Sequence, residues 1–481
     1  MKKTKIIFIF IFCSILILPL ISFNIKTDQI SEIDNRTLAE FPELNINSIG
    51  NFPPDFEQYF DDRIGYRDNI IATYTSLNDN FFGELVHPSY TYGQDGYIFF
   101  RPGITVSNFD FLANFANFIK RFQDYCEDRD IYFIYMLNPS KSIIYEEYLP
   151  KGYSLNKSDI NFFISELERL KVNFYWSAPD LIELANTKQV YNKQFDAGHW
   201  NDIGAYFASS NLLNIIKQDF PKIEIPFFED YLLTYEHKDS LPVSKFPISE
   251  EVPILTHPKY QPSFDEKYSE EIMIEKQYPA FSYQKNNIDS ELNLLMFHGS
   301  YFHAGRNKFI AYPFGTFTNV HNYNNVTNYD YYINIFQPDI VIFSSTDYAT
   351  NNAYFPTELL DESIYSAPLS LKDVQQIKRN SAWINHNIIK ISAKNRILQT
   401  SLTYNKEIFT PIKAWCLLEH CNKQFSTRIT QNTNDVSEIQ ISLASQEIFS
   451  SNSPKLIIVA QDNKGTMIAQ EIFVEIVDEI K

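Results

Sequence analysis

Ile131-Tyr132-Phe133-Ile134-Tyr135-Met136-Leu137 is an unbroken apolar and aromatic run. It is bounded by Glu127-Asp128-Arg129-Asp130 on one side and Asn138-Pro139 on the other. Such a run reads as a short strand buried on both faces, the kind that parallel sheets contain. Upstream, Phe109, Phe111, Leu112, Phe115, Phe118, Ile119 and Phe122 recur at helical spacing. Downstream, a helix over about Ser158–Leu170 leads into the apolar Val172-Asn173-Phe174-Tyr175-Trp176. A further helix carries Ile203, Tyr206, Phe207, Leu212, Leu213 and Ile216 and stops before Pro221. Leu292–Phe297 reads as another strand, Tyr329–Phe336 as a helix and Asp339–Phe343 as a strand. This alternation implies an α/β fold, a parallel sheet with helices on both faces. In such sheets the site forms beyond the carboxyl ends of the strands.

The flanks read differently. Lys2, Lys3 and Lys5 precede an uncharged run from Ile6 to Phe23, which as a helix is roughly 27 Å long, close to the hydrocarbon thickness of a bilayer. Its exit, Pro19-Leu20-Ile21-Ser22-Phe23-Asn24, has no Ala-x-Ala pattern. An uncleaved signal anchor is therefore expected, with a cleaved signal as the alternative. Lysines ahead of the span place the rest of the chain outside the cytoplasm. Residues 25–60 read as a polar juxtamembrane segment with a break at Phe52-Pro53-Pro54. The stretch at about 222–290 is rich in Pro, Glu, Lys and Ser and reads as an insertion with short strands. Beyond about residue 400, alternating runs such as Glu438–Leu443 and Lys455–Ala460 predict a small C-terminal β-sandwich. The expected division is a signal anchor (1–24), an N-terminal part (25–107), the α/β unit (108–400) with its insertion, and the β-domain (401–481).

Forty-one basic against fifty-nine acidic side chains leave a net charge of −18. That average field repels a phosphate backbone and argues against nucleic acid as a partner. Four cysteines are present, without a Cys/His cluster at metal spacing, so neither a structural metal nor another cofactor is expected. Cys416 and Cys421 are close enough for a small disulfide loop, which spacing alone does not establish.

The residues with chemistry lie at two places. Asp196-Ala197-Gly198-His199-Trp200-Asn201 puts a carboxylate and an imidazole on one turn. Ser300 follows the Leu292–Phe297 strand in Phe297-His298-Gly299-Ser300. Serine is a weak nucleophile until a base takes its proton. His199 is the candidate base and Asp196 the carboxylate that orients it. The Ser300 backbone N–H and the Asn138 side chain, at the end of the Ile131–Leu137 strand, are candidate oxyanion-hole donors. The bland readings are that Asp196 caps the following helix, that His199 is a core histidine beside Trp200, and that Gly299-Ser300 is ordinary turn chemistry. His298 and His303 are rival bases without an acidic neighbour in sequence.

Asp196-Ala197-Gly198-His199 resembles the Asp-x-x-His block of the SGNH hydrolase superfamily. With Trp200-Asn201-Asp202-Ile203-Gly204-Ala205 it is similar to the signature of the AlgX/AlgJ/DHHW group of polysaccharide O-acetyltransferases. Further segments resemble that group in the same order: Asn35-Arg36-Thr37-Leu38-Ala39-Glu40-Phe41-Pro42, Phe60–Asp68, Gly93–Phe100, Asn138-Pro139-Ser140-Lys141 and Gln337–Ile342. The similarity covers roughly 30–395. Departures are the Asp196–His199 spacing, where much of the group has the one-residue-shorter Asp-x-His, His298-Gly299-Ser300, where the group usually has Gly-Asp-Ser, and Thr346-Asp347-Tyr348, where relatives often carry Glu-Arg.

The resemblance implies an SGNH-like, flavodoxin-like sheet and Asp196, His199 and Ser300 as a triad. It implies an acetyl-serine intermediate and transfer to a cell-surface or secreted polysaccharide. The acetyl donor would arrive through a multi-pass membrane acyltransferase. Two alternatives stay open: an acetyl esterase with the same triad, and a non-catalytic glycan-binding or assembly scaffold.

Overall fold

The computed structural model describes residues 2–478 except 27–29, 32–35, 43–51, 86–88, 102–106, 242–245, 363–366, 370–373, 375, 381, 421–422, 432–436 and 452–453. Cys421, and with it the expected pairing with Cys416, lies outside the described residues, as does part of the 35–42 segment. A central seven-stranded sheet is built from β1 (Tyr132–Asn138), β2 (Phe174–Trp176), β3 (Ser263–Phe264), β4 (Phe281–Lys285), β5 (Asn293–His298), β6 (Thr316–His321) and β7 (Ile340–Thr346). Their order is β2-β1-β7-β5-β6-β4-β3. The first five in that order run parallel, and β4 and β3 add an antiparallel edge.

Helices α1 (Phe109–Glu127), α2 (Ser158–Arg169), α3 (Ala178–Ala185), α4 (Asp202–Ile216) and α5 (Tyr329–Phe336) cover the sheet. Alternate strand residues serve opposite faces, as a period of two requires. Phe133, Tyr135, Leu137, Phe297 and Phe343 pack with Phe115, Phe118 and Phe122 of α1 and Tyr329 of α5. Ile134, Met136, Met296 and Ile342 pack on the other face with Leu181 of α3 and Ala205, Ala208 and Leu212 of α4. Both helix starts use asparagine caps. Asn108 Oδ1 accepts from the Phe111 N–H at 3.0 Å, and Asn201 Oδ1 from the Gly204 N–H at 3.0 Å.

The flanks differ from the sequence expectation in three ways. Phe52-Pro53-Pro54 is not a break but the first turn of a helix, Phe52–Arg63. Proline is tolerated there because the first-turn N–H groups have no intrahelical partner. The 222–290 stretch is not wholly an insertion, since β3 and β4 belong to the central sheet. Its remaining strands, Leu232–Ser240 and Pro247–Thr256, form a separate hairpin. The C-terminal strands form one continuous eight-stranded sheet around a core that includes Leu398, Cys416, Ile441, Ile458 and Ile472. Lys378–Arg379, Ile388–Ser392 and Ile397–Thr403 already belong to that sheet, so it begins upstream of residue 401. These first strands are short and partly exposed, which hides their alternation. At the other end, Lys2–Ile21 forms a helix long and apolar enough to cross a membrane.

Candidate active site

Parallel strands bring their carboxyl ends to one edge, and four of them deliver side chains there. β5 ends at His298 and continues into Gly299-Ser300, and β6 ends at His321-Asn322. Across the ladder His298 sits opposite His321, and Asn138, the last residue of β1, opposite Thr346 of β7.

The Asp196–His199 turn reaches that edge without a strand of its own. An isolated bridge between Tyr191 and Trp200 closes the loop that carries it. Asp196 has φ 63°, the left-handed region, which Asp tolerates better than most side chains. Its Oδ1 accepts from the Gly198 N–H at 3.2 Å and the His199 N–H at 3.0 Å. Asp196 therefore organises its own turn, while Asn201 caps α4.

The two places marked in the sequence meet here. His199 Nδ1 lies 2.8 Å from Asp196 Oδ1 and 3.0 Å from Oδ2. His199 Nε2 lies 2.8 Å from Ser300 Oγ, across 101 residues of sequence. With the proton on Nδ1, the imidazole donates to the carboxylate and accepts from the serine hydroxyl. Burial pushes the Asp196 carboxyl up, but the His199 charge, the hydrogen bonds from His199 and the Arg306 charge outweigh it and hold it at about 2. All three residues are only part-buried, so the site is open to a reactant.

Trp200 and Tyr301, the neighbours of His199 and Ser300, lock the two loops together. Trp200 Nε1–H donates to the Tyr301 carbonyl at 2.8 Å. The Tyr301 hydroxyl reaches the Gly198 and Pro139 carbonyls at 2.7 and 2.8 Å.

Asn138 is 1% exposed, and its amide donates to Ser344 Oγ at 2.8 Å. One of its two N–H donors is thus engaged inside the sheet. The Tyr348 hydroxyl, by contrast, faces that of Ser300. The rival bases have neighbours of like kind. His298 is fully buried and held down at about 3 by burial and by His303 and His321. Burial and the nearby His199 and Arg306 likewise lower His303. Among the described residues neither has a carboxylate against it, whereas His199 does. Among the described residues no group of three or more His, Cys, Asp or Glu side chains could hold a metal.

Residues 91–235 match the family described as the SGNH hydrolase-like domain of acetyltransferase AlgX. Over these residues the chain is similar to that domain family. The matched stretch contains Asp196 and His199 and ends before Ser300.

Among solved structures, the chain is similar to Bacillus cereus PatB1 with a sulfonyl adduct at 16% identity, covering 56% of this chain and 96% of that one, with a TM-score of 0.43. It is similar to the O-acetyltransferase domain of Pseudomonas putida AlgJ at 13% identity, covering 57% and 99%, with a TM-score of 0.39. Pseudomonas aeruginosa AlgX shares 12% identity over 74% of this chain and 83% of that one, with a TM-score of 0.38. No curated protein matches the sequence.

Tyr301 and Arg306 escaped the reading of the sequence, and Tyr348 entered it only within the Thr346-Asp347-Tyr348 departure. Tyr301 carried a weak signal, being the residue after the candidate serine.

Proposed function

We propose that the protein is an outward-facing O-acetyltransferase that acts on a polysaccharide through an acetyl-serine at Ser300. The observation that carries this is the continuous Asp196–His199–Ser300 relay, with 2.8 Å at each link. Ser300 Oγ attacks the acetyl carbonyl while His199 Nε2 takes its proton, and Asp196 stabilises the imidazolium. The tetrahedral oxyanion accepts from the Ser300 N–H, and collapse expels the donor's alcohol or phenol with the proton from His199. A sugar hydroxyl then attacks the acetyl-serine, passes its proton to His199 and leaves as the acetate ester, while Ser300 Oγ recovers the proton. The Tyr348 hydroxyl is a second candidate oxyanion donor beside Asn138, one of whose two amide N–H groups goes to Ser344.

The domain family supports the acetyl chemistry and the polysaccharide class. The apolar Lys2–Ile21 helix supports attachment to a membrane, with a multi-pass acyltransferase as the partner that presents the donor. No cofactor takes part in these steps.

The test is intact-protein mass spectrometry of the full chain with p-nitrophenyl acetate. One acetyl group should appear in the parent and not in Ser300→Ala. Adding an oligosaccharide should then move the acetyl group to sugar, and release of free acetate alone would make the enzyme an esterase. A parent that never gains an acetyl group, even with its membrane donor present, would refute the reading.

A further inference from the structure

The Leu232–Thr256 hairpin stands apart from both large sheets, yet one of its side chains reaches the candidate catalytic turn. Glu250 Oε1 accepts from the Lys193 N–H at 2.5 Å and from Gln189 Nε2 at 3.0 Å. Its Oε2 accepts from the N–H groups of Gln194 at 2.8 Å and Phe195 at 2.6 Å. Three successive backbone donors thus converge on one carboxylate, immediately before Asp196. Backbone N–H groups concentrated in this way form an anion-binding nest, and hydrogen bonds to an ionised acceptor are the strong ones.

The opposite side of the same segment is held as well. The Lys193 carbonyl accepts from the Ile98 N–H at 2.9 Å and from Lys141 Nζ at 3.0 Å. Lys141 is 1% exposed and also donates to the Ile98 carbonyl at 2.7 Å. The hairpin grips the turn's far end too, since the Leu255 N–H donates to Asp202 Oδ2 at 3.0 Å. Between these anchors sits Asp196 at φ 63°, a conformation that persists only where the surroundings over-determine it.

We infer that Glu250 is a positioning residue for the acyl-transfer reaction: it presents the Asp196 carboxylate to His199 by ordering residues 193–195, and so makes the hairpin a working part of the site. This rests on the proposed roles of Asp196, His199 and Ser300. An Asp196 displaced by even 1 Å would leave the imidazole unoriented, and misplacement of that size is costly in rate.

Glu250→Gln keeps the shape but loses the charge and turns an N–H₂ group towards backbone donors. The first readout is the rate constant for Ser300 acetylation by p-nitrophenyl acetate in the full chain. The second is the low-field proton resonance of the His199–Asp196 hydrogen bond, which requires no turnover and is also recorded in the Ser300→Ala background.

Expected for Glu250→Gln are a 10- to 100-fold slower acetylation, a low-field signal lost or moved, and a Tm within a few degrees of the parent. Glu250→Asp should fall between the two. Glu251→Gln, which alters only the outer pair with His237, should match the parent.

A Glu250→Gln protein with the parental rate and signal would overturn the inference. So would one whose rate falls only with its folded fraction while the signal persists. Should Glu250→Gln not fold, Glu250→Asp is judged by the same two criteria. A parent that never acetylates at Ser300 would refute the proposed function, while the resonance still decides the role of Glu250.

Discussion

Asp196 performs two jobs with one carboxylate. Oδ1 closes its own turn by accepting from Gly198 and His199, and both oxygens face His199 Nδ1. Asparagine keeps an acceptor for the turn but cannot stabilise an imidazolium. Asp196→Asn should therefore stay folded and lose about 10³- to 10⁴-fold in acetylation rate, measured as p-nitrophenol release alongside a melting curve. The low value of its carboxyl also has a sign for stability. The folded state holds Asp196 below a free carboxylate, at about 2. Its contribution is therefore present above about pH 4 and is lost as the pH falls towards 2. At this scale the sequence was informative about residue types, because an acid and a histidine on one turn are local. It was silent on Glu250, whose partner Phe195 lies 55 residues away.

At the scale of elements, the site depends on two loops that no strand pairs directly. Trp200 is fully buried and its indole N–H ends on the Tyr301 carbonyl. Trp200→Phe should cost about 1–3 kcal/mol through the orphaned carbonyl and the lost volume. It should also slow acetylation more than the fall in Tm explains, as a stopped-flow burst beside a thermal melt would show. At the start of α4 the Gly204 Cα lies close to a backbone, since a Cβ there would meet the Val190 carbonyl oxygen at 2.3 Å. Gly204→Ala should destabilise the protein by about 1–3 kcal/mol, read as a lower urea midpoint with an unchanged slope. The helices and parallel strands themselves were legible, because Phe109–Phe122 keeps a helical period and Ile131–Leu137 and Leu292–Phe297 are continuous apolar runs. β3 and β4 were not, because short antiparallel edge strands in a Lys- and Glu-rich stretch carry no such signature.

Across the whole molecule, burial sets the response to acid. His298, His303 and His321 cluster at the carboxyl edge of the sheet, with ring centroids 5.6 Å apart for the first pair and 5.3 Å for the second. Burial and the neighbouring histidines hold His298 at about 3 and His321 at about 4, while burial with His199 and Arg306 lowers His303. The unfolded chain takes up these protons from about pH 6.5 downwards while the folded chain refuses them. Stability should therefore fall as the pH drops from 6.5 to 4, by on the order of a few kcal/mol. Thermal melts across that range should show it, and His321→Asn should flatten the slope.

The C-terminal sheet is fastened to the α/β part by polar contacts. Arg428 pairs with Asp330 at 2.5 Å, and Tyr125 with Ser426 at 2.6 Å. Arg428→Ala leaves Asp330 with one partner fewer and should lower the Tm by several degrees.

What the sequence by itself determined was local and periodic: the alternation of helix and strand, the apolar N-terminal span, and the acid–histidine turn. Each is written in neighbouring residues, through spacing, continuity and short-range hydrogen bonding. Only the tertiary structure decided that Ser300 lies 2.8 Å from His199 and that a hairpin carboxylate holds the turn. Those relations depend on the order of strands in the sheet and on loop closures spanning tens of residues. Neither periodicity nor composition encodes them.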